Sequence, residues 1–168
     1  MDSEKVKIES EANHAFHVPK QTWTHIALYC KNIDDMIAWY EQFTHFSLLF
    51  KEEDPFGAGA WLGDKSQVEQ PFVLVLQQFS EGNDPFAPAL HHPLGPFAHI
   101  GIEVPTQKLV DEIASRAEEA GCLIMGPMRM PKRIGYICFL RDPEGNVIEF
   151  SFDQGVYTKA SEIWASEE

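Results

Sequence analysis

Three polar side chains sit on otherwise hydrophobic stretches: His25 in TWTHIALYC, His99 in FAHIGIEV and Glu149 in NVIEFSF. Two neutral imidazoles and a carboxylate suit a divalent cation and leave coordination positions for water and a substrate. The same set suits non-haem iron(II). An ionised carboxylate flanked by large hydrophobes needs water, a cationic partner or a metal. Taken singly, each residue has a blander reading. A lone strand histidine is usually hydrogen-bonded or solvent-facing, and a lone glutamate usually marks a solvated face. What singles the three out is their recurrence at matching places in a repeated pattern.

That pattern is set by the elements that carry them. Phe139 to Phe152 reads as two strands joined by a turn, Asp142-Pro143-Glu144-Gly145, with Pro fixing φ and Gly closing the turn. Beyond it Val147, Glu149 and Ser151 alternate with Ile148, Phe150 and Phe152, so one face is apolar and the other holds the carboxylate. His25, Ala27 and Tyr29 likewise alternate with Ile26, Leu28 and Cys30. His99, Gly101 and Glu103 alternate with Ile100, Ile102 and Val104 in a strand expected over 97–104. A helix capped by Asn32 is expected from Ile33, Met36, Ile37, Tyr40 and Phe43. A second opens at Pro105-Thr106, carries Leu109, Val110, Ile113 and Ala117, and ends at Gly121. Further strands are expected at 46–50, 61–62, 72–79, 123–130 and 133–140, with KEEDPFGAG as a turn-rich link.

Superposing His25 on His99, an offset of 99 − 25 = 74, aligns both strands and both helices. The expected fold class is therefore α+β, with paired β-α-β-β-β modules forming a cupped mixed sheet around a metal cleft. The expected organisation is an arm over 1–20, module one over 21–80, a linker over 81–95, module two over 96–157 and an acidic tail over 158–168. The linker, with three prolines and the pair His91-His92, is long enough to be functional. His14 and His17 read as solvated arm residues. Ile163-Trp164 give a short helix in the tail an apolar patch to dock.

At 168 residues and 44% hydrophobic, the chain can bury a sizeable core. A net charge of −13 argues against nucleic acid and anionic membrane surfaces as partners. Cys30, Cys122 and Cys138 are odd in number and lack metal-site spacing, which reads as reduced thiols. With no apolar signal core in MDSEKVKIES and no long apolar run, a cytoplasmic protein is expected.

The stretches THIALYCKNIDDMIAWYEQF, FAHIGIEV and YICFLRDPEGNVIEFSF resemble the vicinal oxygen chelate superfamily, which includes glyoxalase I, extradiol dioxygenases and the fosfomycin and bleomycin resistance proteins. The resemblance runs from about Thr22 to Tyr157. It implies one divalent metal ion (Zn, Ni, Mn or Fe(II)) held by His25, His99 and Glu149, a small oxygen-rich substrate, and a homodimer in which modules can be exchanged. A glyoxalase-I-like lyase or isomerase is the leading activity, with Glu149 moving the proton. An extradiol dioxygenase and a non-catalytic drug- or metabolite-binding protein are the alternatives. Tyr29, Glu103, Tyr136 and Ser151 are expected to line the cup, and Trp61 to close one side. Glyoxalase I usually adds a Glu from the last strand of module one. That strand is FVLVLQQF here, where Gln77 or Gln78 could serve through its amide oxygen. No Arg precedes Arg116 to hold the carboxylates of glutathione. Extradiol dioxygenases add a His and a Tyr near the metal, for which His91, His92 and Tyr136 are stand-ins.

Overall fold

A computed structural model describes residues 21–67, 72–131 and 134–166. The arm histidines His14 and His17 and the expected strand start at Arg133 lie outside the described residues. Two four-stranded mixed sheets result. The first runs β1 (His25–Tyr29), β4 (Val73–Phe79), β3 (Gly57–Gly63), β2 (Ser47–Asp54). The second runs β5 (Ile100–Glu103), β8 (Val147–Phe152), β7 (Tyr136–Arg141), β6 (Leu123–Arg129). In each sheet the first strand pairs in parallel with the last, and the remaining neighbours are antiparallel. Helices α1 (Ile33–Phe43) and α2 (Gln107–Glu119) supply the crossovers, and α3 (Val156–Ala165) ends the fold. The α+β class and the paired β-α-β-β-β order are as expected; the sheets are curled and not closed.

The caps explain where the crossovers start. Asn32 accepts from the backbone N–H groups of Asp34 and Asp35, and Thr106 accepts from Leu109 N–H, satisfying amides that a helix start leaves unpaired. Met36, Tyr40, Val110 and Ala117 face inward and are fully buried. Several boundaries differ from expectation: the strand expected at 61–62 runs over Gly57–Gly63, and the last-but-one strand over Tyr136–Arg141. KEED belongs to β2, and the reversal is confined to Pro55-Phe56, where Asp54 Oδ1 accepts from Phe56 and Gly57 N–H. Charged residues are tolerated there because β2 is an edge strand. Strand β5 starts at Ile100, three residues after Phe97, because the neighbouring edge of β8 is already engaged by the linker. Val147 N–H donates to Leu94 O, and Leu94 N–H donates to Asn146 Oδ1. The tail helix begins at Val156 and buries no residue, so its apolar patch is exposed.

One hydrophobic core spans both modules. They are also clamped by the turn between β7 and β8. Tyr40 Oη donates to Asp142 Oδ2 at 3.1 Å, and Lys31 N–H donates to Glu144 Oε1 at 2.6 Å. Asp142 also accepts from Glu144 N–H, Asn146 N–H and Asn146 Nδ2. Burial nevertheless pushes its carboxyl above the ordinary aspartate value, with the hydrogen bonds opposing. Cys30, Cys122 and Cys138 are unpaired. Among the described residues, no helix is long and apolar enough to cross a membrane.

Candidate metal and substrate site

Glu149 lies in the centre of β8, opposite Gly101 of β5 and Phe139 of β7. Residues paired across a sheet share a face, so Gly101 leaves the space beside the carboxylate open. A Cβ at Gly101 would meet nothing within 4 Å. Glu149 is only 4% exposed. Its Oε2 lies 3.6 Å from His99 Nε2, and His99 packs edge-on against the Phe139 ring. Two of the three residues singled out from the sequence are therefore brought together, with His99 one residue ahead of β5.

The hydrogen bonds at His99 define its character. Its Nδ1 is 2.7 Å from Phe97 O, and a carbonyl only accepts, so Nδ1 carries a proton. In a neutral ring Nε2 then presents a lone pair to a carboxylate oxygen. Two acceptors facing each other are satisfied by a proton on Nε2 or by a cation binding both. The donor set fits a divalent metal, and the carbonyl contact orients the ring as such ligands usually require.

His25 is elsewhere. It begins β1, its Nδ1 2.8 Å from Thr24 Oγ1, and it borders an open hollow of about 370 Å³ with Trp61, Val73 and Val75. Among the described residues, no three His, Cys, Asp or Glu side chains form a metal-binding group. Each module thus carries part of the set on its helix-free face.

The other expected residues divide. Trp61 borders the His25 hollow. Tyr29 shares the His25 face but is covered by the linker, its ring stacked on His91 at 4.0 Å between centroids, while His91 Nε2 reaches Asp84 at 2.8 Å. His92 borders a separate hollow with Tyr29 and Lys31. Gln77 also shares the His25 face, through its pairing with Tyr29. Gln78 accepts from Ile33 N–H at the start of α1 and points to the helix side. Ser151 is fully buried on β8, paired with Glu103 and Ile137, and Glu103 Oε1 accepts from Gln154 and Gly155 N–H at the start of α3. Tyr136 departs from expectation. It pairs with Phe152, on the opposite face from Glu149, and donates to Asp111 of α2 at 2.6 Å. That contact raises its phenol above the ordinary value.

Two features escaped the sequence reading. Gln154 Nε2 donates to Glu149 Oε1 at 3.2 Å, and Ser151 Oγ donates to Gln154 Oε1 at 3.3 Å. Gln154 follows β8, beyond the reach of strand alternation, so no pattern pointed to it. The second is Val75. The repeat offset maps Glu149 onto 149 − 74 = 75. The registers agree, since Ala27 pairs with Val75 as Gly101 pairs with Glu149. The counterpart of the carboxylate is therefore an aliphatic side chain, a fact the offset alone would have revealed.

The paired β-α-β-β-β modules, with a polar set on their open faces, define a fold shared with a known family. Residues 22–150 match the Glyoxalase/Bleomycin resistance protein/Dioxygenase superfamily, and the chain belongs to it. It is 35% identical over 133 residues to the uncharacterized protein PA2024 of Pseudomonas aeruginosa, covering 79% of this chain and 89% of that one. In structure it is similar to the trypanothione-dependent glyoxalase I of Leishmania major (TM-score 0.60, 17% identity, 88% of this chain and 98% of that one). It is also similar to TnmS3, an antibiotic-binding protein of Streptomyces (TM-score 0.57, 20% identity, 81% and 98%). At these identities the structural likeness establishes the fold.

Proposed function

We propose that this chain is a divalent-metal-dependent enzyme of the superfamily, with His25, His99 and Glu149 as the protein ligands, acting on a small oxygen-rich substrate. The observation that carries the reading is the pair His99 Nε2 and Glu149 Oε2, 3.6 Å apart and both able to donate lone pairs. Because His25 sits on the other module's open face, a second copy completes the set. Module one of each subunit faces module two of its partner, giving two composite sites. When bound, the metal supplies Lewis-acid stabilisation of negative charge at adjacent substrate oxygens. The chain's own residues do the rest. Phe97 O and Gln154 orient His99 and Glu149, the open space at Gly101 admits the substrate, Trp61 and Val75 exclude water, and Glu149 accepts or returns the proton.

Strands β1, β3, β4, β5 and β8 contain no Lys or Arg, whereas β7, whose Phe139 lies opposite Glu149, carries Arg141 on the same face. A glyoxalase-I-like lyase or isomerase reaction on a small oxygen-rich substrate is the leading reading. Val75 favours a second reading. A set limited to two His and one carboxylate leaves positions for a vicinal diol and dioxygen together, as ring cleavage by iron(II) requires.

The test is metal analysis of protein purified without an affinity tag, with melting temperature measured with and without added metal. Bound metal and a metal-dependent rise are expected; absence of both would sink the enzyme reading and leave a small-molecule-binding protein. Mixing His25→Ala and Glu149→Ala subunits should restore about one quarter of the sites by random pairing, since a mixed dimer has one intact composite site. Iron-dependent oxygen uptake with catechols would favour ring cleavage, and metal-dependent loss of a hemithioacetal a glyoxalase reaction.

A further inference from the structure

Glu149 offers two oxygens, and the structure treats them differently. Oε2 faces His99, while Oε1 is taken by the side-chain amide of Gln154. The amide's orientation follows from its partners. A carboxylate only accepts, so the NH2 end of Gln154 must point to Glu149, and its Oε1 then accepts from the fully buried Ser151 hydroxyl. The backbone of Gln154 is fixed separately, since Glu103 Oε1 accepts from both Gln154 and Gly155 N–H at 3.1 and 2.9 Å. The chain reverses at Asp153, whose φ is +64°, and this brings residue 154 back over the strand it has just left.

We infer that Gln154 is a positioning residue. It holds Oε1 of Glu149 so that Oε2 is the oxygen presented toward His99, and it makes the segment leading into α3 part of the site. The inference rests on the reading of Glu149 as a metal ligand only for its functional consequence; the positioning itself belongs to the metal-free protein. Its form is that of an outer hydrogen-bond partner to a ligating carboxylate, whose loss typically costs tenfold to a hundredfold in metal affinity. Glu103 acts one step further out. Through two backbone amides it sets where residue 154 begins, so the placement of Glu149 depends on a carboxylate from another strand.

The experiment uses the full chain in two measurements. Nickel or zinc affinity is measured by competition with a chromogenic chelator for the natural protein, Gln154→Leu, Glu149→Gln and the double variant. Gln154→Leu should weaken binding roughly tenfold and should add nothing in the Glu149→Gln background, because both act on one contact. In the metal-free protein, the side-chain amide protons of Gln154 are followed by NMR. They should shift on Glu149→Gln, whereas Glu103→Gln should shift the backbone amides of Gln154 and Gly155 first. Unchanged affinity in Gln154→Leu, additive losses in the double variant, or an amide resonance indifferent to Glu149→Gln would each overturn the inference. If the natural protein takes up no metal, it is the ligand reading of Glu149 that falls, and the amide resonance still decides the positioning.

Discussion

Replacing Tyr40 with Phe removes a single hydroxyl from the contact between the modules, and its effect should depend on pH. Tyr40 is fully buried, and its hydroxyl donates to Asp142 Oδ2 at 3.1 Å, a long distance for such a bond. A hydrogen bond to a charged group contributes about 1.5–3 kcal/mol and a neutral one about 1 kcal/mol. The long geometry places this one near the lower end, so Tyr40→Phe should cost about 1.5–2 kcal/mol when Asp142 is ionised. Burial raises Asp142 above its ordinary 3.8, and the Tyr40 contact is among the hydrogen bonds that hold it down. The folded protein therefore keeps this proton to higher pH than the unfolded chain, and Asp142 lowers stability as pH rises from 3.8 through its folded value. Without the hydroxyl that folded value rises further and the cost of ionisation grows. The variant's deficit should thus be largest near pH 8 and shrink to about 1 kcal/mol as the carboxyl is protonated. Urea unfolding from pH 4 to 8, at fixed protein concentration, measures it. A deficit independent of pH, or below about 0.5 kcal/mol at pH 8, would refute the assigned role of Tyr40.

Asn32→Ala should lower stability by about 1 kcal/mol, read as a drop in melting temperature, because two amides at the start of α1 lose their acceptor. Gly57→Ala should be far more damaging, by about 3 kcal/mol or more. Its φ is +146° and a Cβ would collide with the backbone carbonyl of Gln78, so the variant should yield little soluble protein; near-normal yield would count against the β2–β3 geometry. Burial pushes the thiols of Cys30 and Cys138 up to about 12, so the native protein at pH 8 should expose at most Cys122 to a thiol reagent, with all three reacting in denaturant.

Much of this structure is legible in the chain because strand alternation and helix caps are local. His25 and Glu149 were placed on faces opposite the helices by period-two counting, and Asn32 and Thr106 mark helix starts by residue type. Tyr136 shows where counting must be joined to register. The tight turn fixes Arg141 opposite Val147, which fixes Phe139 opposite Glu149 and Tyr136 opposite Phe152. The tyrosine could have been assigned to α2's side from the turn alone. The position of His25 relative to His99 is a different kind of quantity. Alternation says which way a side chain points from its own sheet, but how two sheets are set against each other depends on packing between modules. Gln154 was hidden for a related reason. Its approach to Glu149 requires the backbone reversal at Asp153, which no periodic pattern encodes.

The β7–β8 turn has a consequence for how the two halves stay together. Residues 81–95 join them covalently, yet the contacts that lock them, Tyr40 to Asp142 and Lys31 to Glu144, lie outside that segment. A protease cut within it would leave the clamp and the shared core in place, so the nicked protein should migrate as one species until denatured. The two fragments, expressed separately, should recognise each other. The tether then raises the concentration of one half around the other, while its far end at Leu94 stays tied to Val147 and Asn146, where the strand that carries Glu149 begins.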